Sequence, residues 1–365
     1  MKVENVLKAL ATVQEPDLGK DLVTLDMIRD IVINGTHLSF TVVLTTPACP
    51  LKDLIKNSCI QAIHQLIGNE IEVKVNFISE MNSKRTSPEM VLPKVKNIIA
   101  IVSGKGGVGK STVASNFALA LAADGASVGL MDADIYGPSL PIMFGVRGER
   151  PMMKTVGEKG MILPLEKYGI RLMSIGLLID EKNAVVWRGP MASSAIKQFV
   201  SEVFWDELDY LVIDMPPGTG DIHLTLLQSV PVTGVIVVST PQDVALADAK
   251  KAIAMFGQAQ LKTPIIGLVE NMSYFLGDGA PNRKYYIFGK DGGKRLAEEY
   301  DIPFLGQIPL IQNIREGGDS GKPVMISEDL VAKRAFQDFT GNAVRSIAMI
   351  NANINAGKRA ELVEV

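Results

Sequence analysis

The 365-residue chain has few of the residues that build disulfide-bonded or histidine-rich metal proteins. Its two cysteines are Cys49 and Cys59, and its three histidines are His37, His64 and His223. Two cysteines cannot form a disulfide framework for a chain of this length, and the histidines show no ligand spacing. No run of about 18 uncharged apolar residues occurs, so the sequence predicts no transmembrane helix.

An excess of charge of one sign is also lacking. The chain has 37 Lys and Arg against 40 Asp and Glu, which gives a formal net charge of −3. This balance argues against broad electrostatic capture of nucleic acid or an anionic membrane, so we expect neither as a partner. The N-terminus lacks the charged-then-apolar pattern of a signal peptide, and we therefore expect a cytoplasmic protein.

The most informative stretch of the sequence is the glycine-rich segment SGKGGVGKST at 103–112. It follows the apolar run 98–102 and precedes a helical pattern at 113–122, the strand, loop and helix order of a P-loop. Backbone N–H groups of such a loop surround phosphate oxygens. We expect Lys110 to neutralise the β- and γ-phosphates of ATP and Ser111 to bind Mg²⁺. The residues predicted to bind the nucleotide here are Gly104, Lys105, Gly106, Gly107, Val108, Gly109, Lys110, Ser111 and Thr112.

Two acidic strand ends offer the other groups that ATP hydrolysis needs. Asp132 and Asp134 follow the second apolar run, and Asp214 ends a later run just before the turn PPGTG at 216–220. Ligands bind at the carboxyl ends of parallel strands, where these residues fall. Asp134 is predicted to position the attacking water, and Asp132 and Asp214 to hold Mg²⁺. The turn is predicted to be a switch loop that senses the γ-phosphate. For His223, just after it, a structural role is favoured.

The pattern of apolar runs predicts an α/β protein. From residue 97 these runs alternate with helical segments, which predicts a parallel-sheet P-loop NTPase domain covered by helices on both faces. Residues 1–78 combine helical patterns with a hairpin signal at Asn34-Gly35 and predict a small α/β domain that precedes it. The predicted division is a small domain at 1–78, a linker at 79–96, an ATPase domain at 97–350 and a C-terminal tail at 351–365.

Lys105, the additional lysine of the glycine-rich segment, narrows the class of P-loop protein to which the chain can belong. Residues 104–111 resemble the deviant Walker A motif of the MinD/ParA class of dimerising ATPases. The resemblance implies a homodimer in which Lys105 acts on the nucleotide of the partner. A cation supplied across an interface stabilises charge during phosphoryl transfer, as an arginine finger does. Lys105, Lys110 and Asp134 are therefore the predicted catalytic residues.

Several further segments match a narrower family. They are DADIYGPS at 132–139, WRGPM at 187–191, DYLVIDMPPGTGD at 209–221, TPQD at 240–243 and ENMSYF at 270–275. The chain resembles the Mrp (ApbC) family of iron–sulfur cluster carrier ATPases, and its first 78 residues resemble a small cluster-assembly domain often fused to them. The resemblance implies apo iron–sulfur proteins or assembly factors as partners. It also implies that Asn271 lies by the adenine; the alternative is a polar cap at a strand end.

The cysteine pair that many Mrp proteins carry after the ENMSYF segment is absent. Two such pairs in a dimer supply the four thiolates of a shared cluster, and no cysteine follows Cys59 here. Cys49 remains the candidate contact with a cluster or partner. It lies just ahead of a predicted helix, whose dipole we expect to lower the pKa of the thiol; a half-buried structural thiol is the alternative. Cys59 falls on the apolar face of that helix and is expected in the core.

Three functions stay open on the sequence. The leading hypothesis is an ATP-binding and hydrolysing homodimeric iron–sulfur cluster carrier or assembly factor that delivers clusters to apoproteins. The alternatives are a MinD/ParA-like positioning ATPase and an ATPase-type assembly factor that binds no cluster itself. The mixed charge of residues 331–365 argues against the positioning ATPase, because such proteins use a basic face to bind membrane or DNA.

Overall fold

The computed structural model describes residues 1–79, 91–157, 159–179, 189–258, 263–276 and 283–361. The chain divides into two compact units, residues 1–82 with 348–365 and residues 83–347. Most of the predicted linker and the Trp-Arg pair at 187–188 lie outside the described residues. The domain boundaries drawn from the sequence stay a prediction.

The smaller unit pairs a three-stranded sheet with two helices. Strands β3 and β4 form an antiparallel hairpin in which Asn34 faces His37, and β5 pairs in parallel with β4. Gly35 in the turn has a φ of +61°, the left-handed conformation that the Asn-Gly pair predicts. The elements are α1 Val3–Leu10, β1 Gln14–Glu15, β2 Lys20–Asp21, β3 Ile28–Asn34, β4 His37–Leu44, α2 Lys52–Leu66 and β5 Glu72–Ser79.

The core of this unit lies between its helices and the sheet. Leu38 and Phe40 of β4 are fully buried with Ile55 and Cys59 of α2. Alternation along β4 and the helical spacing of α2 bring these side chains to one layer. The expectation that Cys59 packs in the core is confirmed.

The larger unit contains an eight-stranded sheet in the order β10-β11-β7-β12-β6-β13-β14-β17. Seven of these strands run parallel, and β10 joins the edge in the antiparallel direction. The strands of this unit are β6 Val95–Val102, β7 Val128–Asp132, β8 Met153–Val156, β9 Lys159–Ile162, β10 Leu165–Lys167, β11 Ile170–Ser174, β12 Leu208–Asp214, β13 Gly234–Ser239, β14 Ile265–Glu270, β15 Phe275–Leu276, β16 Lys284–Tyr285 and β17 Phe304–Gln307.

Both faces of the central sheet are covered. Every residue of β7 and β13 is buried, although successive side chains point to opposite faces. The predicted α/β class is therefore confirmed. The helices are α3 Lys110–Ala123, α4 Leu140–Met143, α5 Gly189–Glu202, α6 Asp221–Ser229, α7 Asp243–Phe256, α8 Gly292–Glu299, α9 Gln312–Asp319 and α10 Leu330–Glu361, with 3₁₀ turns at Ile175–Leu177 and Val324–Ile326.

Two elements cross the positions at which the sequence suggested boundaries. Strand β6 starts at Val95, inside the predicted linker, and α10 continues past residue 350 to Glu361. Residues 351–361 are thus helical. None of the helices in the described part of the chain combines the length and apolar character needed to cross a lipid bilayer.

Candidate nucleotide-binding site

The P-loop joins the central strand β6 to the start of α3. Gly107 and Gly109 both have φ near +80°, at +83° and +82°, a conformation that other residues rarely adopt. A Cβ on Gly109 would also collide with the Asn271 amide, and one on Gly104 would collide with the backbone of α7 at Asp248. These glycines are required by the backbone path of the loop and by its close packing.

A cavity of about 410 Å³ lies against this loop. Its walls include seven of the nine P-loop residues predicted to bind the nucleotide; the other two, Gly104 and Val108, do not line it. The lining from the segment is Ser103, Lys105, Gly106, Gly107, Gly109, Lys110, Ser111 and Thr112, and Asp134 lines the same cavity. The predicted phosphate-binding residues thus share one cavity with a predicted catalytic carboxylate.

Lys110 lies among three polar groups at the bottom of the site. Its Nζ atom donates to Oδ1 of Asp214 at 2.5 Å, lies 3.4 Å from Oγ of Ser111 and lies 3.9 Å from Oδ2 of Asp134. The Lys110 side chain is 6% exposed and that of Asp214 is fully buried. A buried charge pair of this kind is stable only while both partners are present.

Asp214 fits the predicted role of a magnesium ligand. Within the described residues, its buried Oδ2 atom accepts no hydrogen bond, although its other oxygen pairs with Lys110. Buried carboxylate oxygens are nearly always partnered, so this atom is suited to a ligand group such as a water of the Mg²⁺ shell. The hydroxyl of Ser111 lies in the same cluster, near Lys110.

Asp132 is engaged by its own surroundings. Its Oδ2 accepts hydrogen bonds from Oγ of Ser174 at 2.9 Å and from the Leu140 backbone, and its Oδ1 accepts one from the Asp134 backbone at 3.1 Å. Burial and the nearby Asp214 carboxylate raise the pKa of Asp132 to about 7. Asp132 therefore fixes the loop that carries Asp134, and its contact with Mg²⁺ stays a prediction.

Asp134 is the most accessible of the three carboxylates, with its side chain 15% exposed. Its Oδ1 accepts a hydrogen bond from the Gly137 backbone at 3.3 Å. Burial raises the pKa of Asp134, and the Lys110 ammonium opposes this shift. Its other oxygen lies 3.9 Å from the Lys110 ammonium, beyond hydrogen-bonding distance.

Asn271 contacts the P-loop from behind. Its Nδ2 donates to the Val108 carbonyl at 2.8 Å, and its backbone N–H donates to the Ser239 carbonyl at the end of β13. The side chain is 5% exposed. Asn271 thereby connects β13 and β14 to the phosphate-binding loop, and its predicted contact with adenine stays a prediction.

Helix α9 supplies a wall of the cavity that the sequence did not indicate. Ile314 and Arg315 lie there with Gly318 and Asp319. The Arg315 guanidinium forms ion pairs with Glu316 at 2.8 Å and Asp319 at 3.1 Å. The polar sequence of α9 is typical of an ordinary solvent-exposed helix. Only the three-dimensional structure, which brings this helix close to the P-loop, shows that it lines the cavity.

The expected low pKa of the Cys49 thiol is wrong. Burial is the main cause and raises the pKa of Cys49; the Leu51 backbone opposes it, the Glu15 and Asp17 carboxylates add smaller increases, and Lys52 a smaller decrease. Burial therefore outweighs the lowering effect of the backbone at the start of α2, where Leu51 is the N-cap. Cys49 is half-buried and packs against the core of the smaller unit.

The described residues contain no group of three or more Cys, His, Asp or Glu side chains placed to hold a metal ion. Burial raises the pKa of the Cys59 thiol to about 12, so it is a poor ligand where it lies. Residues 277–282, part of the segment that follows ENMSYF, fall outside the described residues. A four-thiolate cluster site within one chain therefore does not fit the cysteines present.

The fold and this site define a P-loop NTPase. The chain matches the family described as NUBPL iron-transfer P-loop NTPase over residues 94–344 and the family described as iron-sulfur cluster assembly protein over residues 3–75. The first match covers more than half of the chain, and the chain belongs to this family of iron-transfer P-loop NTPases.

Curated relatives extend over most of the chain. A protein named iron-sulfur cluster carrier protein from Synechocystis is 48% identical over 90% of this chain and 92% of its own length. A protein of the same name from Deinococcus radiodurans is 46% identical over 91% and 92%. The chloroplastic Fe-S cluster assembly factor HCF101 of Arabidopsis thaliana is 41% identical over 96% of this chain and 65% of its own length.

Solved structures resemble the larger unit. A nucleotide-binding protein from Archaeoglobus fulgidus in complex with ADP is 38% identical, with a TM-score of 0.56 over 65% of this chain and 90% of its own. The cell division ATPase MinD of Pyrococcus furiosus is 24% identical, with a TM-score of 0.50 over 67% of this chain and 97% of its own. The likeness to MinD concerns the fold alone.

Proposed function

We propose that this chain is an ATP-hydrolysing, homodimeric iron–sulfur cluster carrier or assembly factor that delivers clusters to apoproteins in the cytoplasm. The observation that carries the proposal is that Lys110 and Asp134 line one P-loop cavity, while the buried Asp214 pairs with Lys110. The iron–sulfur part rests on the family and on relatives named as cluster carriers.

The ATPase step uses groups that the site already holds. The P-loop N–H groups bind the phosphates of the substrate ATP, and Lys110 exchanges Asp214 for phosphate oxygens as its partner. Asp134 orients the attacking water. Ser111 and Asp214, together with Asp132 through the water shell of the ion, would hold Mg²⁺, which would neutralise charge on the phosphates.

Lys105 completes the site of the partner subunit in this proposal. It lines the nucleotide cavity, where the structure describes no salt bridge that occupies its ammonium. A lysine on a glycine-rich loop can reach across an interface, and its charge stabilises the charge that develops during phosphoryl transfer. Nucleotide binding then couples the state of the dimer to its contacts with apoproteins.

The cargo is proposed to contact Cys49. One Cys49 from each protomer gives two thiolates, so a cluster with four thiolate positions takes its other ligands from small thiols or from the acceptor protein. The absence of any cysteine after Cys59 favours a second candidate, an ATPase-type assembly factor that binds no cluster itself. A positioning ATPase is not favoured, because the curated relatives are cluster carriers and assembly factors.

Two measurements test the proposal. Phosphate release from Mg-ATP tests the ATPase, and we expect turnover in the wild type that Asp134→Asn abolishes. Anaerobic reconstitution with iron and sulfide, followed by iron counting and absorbance spectra, tests the cargo. A coloured wild type and a colourless Cys49→Ser support the direct carrier. A colourless, iron-free wild type removes it and leaves the assembly factor.

A further inference from the structure

His223 is a buried titratable group that the proposed ATPase site does not use. It lies in the first turn of α6, directly after the Pro-Pro-Gly-Thr-Gly turn, and the residue is only 1% exposed. Neither ring nitrogen has a hydrogen-bond partner within the part of the chain that the structure describes. Buried polar atoms are nearly always partnered, so a pair of unpartnered nitrogens in one ring calls for a ligand or a second conformation.

The imidazole faces a cavity of about 500 Å³ that it shares with Asp134. The other walls are formed by Tyr136 and Gly137 on one side and by Pro216, Pro217 and Gly220 of the turn on the other. Burial lowers the pKa of His223, the backbone groups of Pro216 and Gly220 oppose this shift, and the Lys110 ammonium adds a smaller lowering. Burial thus favours the neutral ring, which offers one N–H donor and one acceptor.

The partner of Asp134 changes during the proposed reaction. In the structure its Oδ2 faces the Lys110 ammonium at 3.9 Å, while its Oδ1 is occupied by the Gly137 backbone. Once Lys110 binds phosphate oxygens, this attraction weakens. Asp134 then needs another donor if its carboxylate is to keep one orientation.

We propose that His223 is this donor and acts as a positioning residue for hydrolysis. Its ring N–H donates to the Asp134 carboxylate, directly or through one water in the shared cavity, when ATP occupies the P-loop. The contact fixes the carboxylate that orients the attacking water. His223 lies in α6, directly after the turn. A movement of the turn would therefore also move His223 and change its contact with the Asp134 carboxylate. The inference rests on the proposed function.

Steady-state kinetics test this role. We expect His223→Leu, which fills the space without a polar atom, to lower kcat about tenfold to 100-fold, the range of a lost orienting hydrogen bond. The KM for ATP should change by less than about twofold, because His223 does not line the phosphate cavity. His223→Gln keeps an N–H donor and should recover most of kcat. His37→Leu, at an exposed position of the smaller unit, controls for the loss of a histidine.

Folding does not limit this test, because leucine removes a buried unpartnered group. We expect the thermal midpoint of nucleotide-free His223→Leu to be at least that of the wild type. The inference is overturned if His223→Leu keeps wild-type kcat, or if His223→Gln is as impaired as His223→Leu.

Spectroscopy separates this inference from the ATPase proposal. The chain has only three histidines, so ¹³Cε1-labelled histidine gives three ring signals. Mg²⁺ with the non-hydrolysable analogue AMP-PNP should shift the His223 signal in the wild type and leave it nearly unchanged in Asp134→Asn, while His37 and His64 do not respond. This result supports the contact even if the wild type releases no phosphate. An identical His223 response in the two proteins overturns it.

Discussion

Lys110 and Asp214 form a buried ion pair at the base of the P-loop, with 2.5 Å between Nζ and Oδ1. The pair joins the first residue of α3 to the last residue of β12. In the proposed function, Lys110 binds phosphate oxygens. Nucleotide binding would then separate this charge pair, and Asp214 would pair with Mg²⁺ instead.

Removal of Lys110 should destabilise the nucleotide-free protein. Lys110→Met leaves Asp214 buried without its cation, and we expect the free energy of unfolding to fall by about 3 kcal/mol. Urea denaturation followed by circular dichroism measures this. Adding Asp214→Asn should restore most of the loss, because no charge is then left unpaired. Lys250→Met removes an exposed pair with Glu299 and should leave the midpoint unchanged; equal losses in Lys110→Met and Lys250→Met would contradict the account.

Substitution of Asn271 separates support of the P-loop from recognition of adenine. Asn271→Ala removes the hydrogen bond to the Val108 carbonyl, and we expect ATP affinity to fall by roughly tenfold as the loop loosens. Calorimetric titrations with ATP, GTP and inorganic triphosphate measure the effect. A similar loss for all three ligands indicates support of the loop. A loss confined to ATP would show that Asn271 acts through the adenine, as the family resemblance implies.

The two thiols should differ sharply in alkylation. Cys49 is half-buried and its pKa is raised, so iodoacetamide should modify it slowly at pH 7 and faster as the pH rises. Cys59 is fully buried, with a pKa of about 12, and should react only after unfolding. Mass spectrometry of timed samples reads both sites. Rapid labelling of Cys49 at pH 7 would contradict its placement, and Glu15→Gln should move its rate profile to lower pH.

The raised pKa of Cys59 also determines how the free energy of unfolding should depend on pH. The folded-state pKa of Cys59 lies above that of an unfolded thiol, so the protonated form is favoured by folding. This contribution is complete below the unfolded pKa and is lost as the pH rises toward 12. The unfolding free energy of the wild type should therefore fall more steeply than that of Cys59→Ala in alkaline urea titrations. Parallel slopes for the two proteins would refute a buried Cys59 thiol.

The role of Lys105 across a dimer interface can be tested by mixing two inactive variants. A Lys105→Ala subunit cannot supply the lysine to the site of its partner. An Asp134→Asn subunit cannot supply the carboxylate to its own site. A mixed dimer contains one site with its own Asp134 and the partner's lysine, so an equal mixture should recover roughly one quarter of the wild-type rate. Phosphate release measures this. A mixture as inactive as either variant alone would place Lys105 in its own subunit's site.

Much of the fold could be predicted from the sequence because its strongest signals are local. The apolar runs 98–102 and 234–238 gave two neighbouring central strands, β6 and β13, and Asn34-Gly35 gave a hairpin. The edge strands were harder to predict. β17 has only four residues and β11 is interrupted in burial by Arg171, so neither shows a long buried run.

The sequence predicts the parts of the candidate site that belong to local motifs, and it does not predict the parts that distant segments contribute. The P-loop and the carboxylates at strand ends follow from motif and topology, since parallel strands bring their carboxyl ends to one edge. The wall formed by α9 depends on how a distant segment returns to the loop. The pKa of Cys49 depends first on its burial and then, to a smaller extent, on Glu15 and Asp17, which lie far from it in sequence, so a helix-dipole argument alone gave the wrong sign.

The central claim is that ATP turnover drives the supply of clusters to apoproteins. The most direct measurement is the rate at which the apo form of a [4Fe–4S] enzyme gains activity, under anaerobic conditions with iron, sulfide, Mg-ATP and this protein. The account predicts that the wild type accelerates activation only with hydrolysable ATP, and that Asp134→Asn and Lys105→Ala do not. Equal acceleration by the wild type and both variants, with or without ATP, would contradict it.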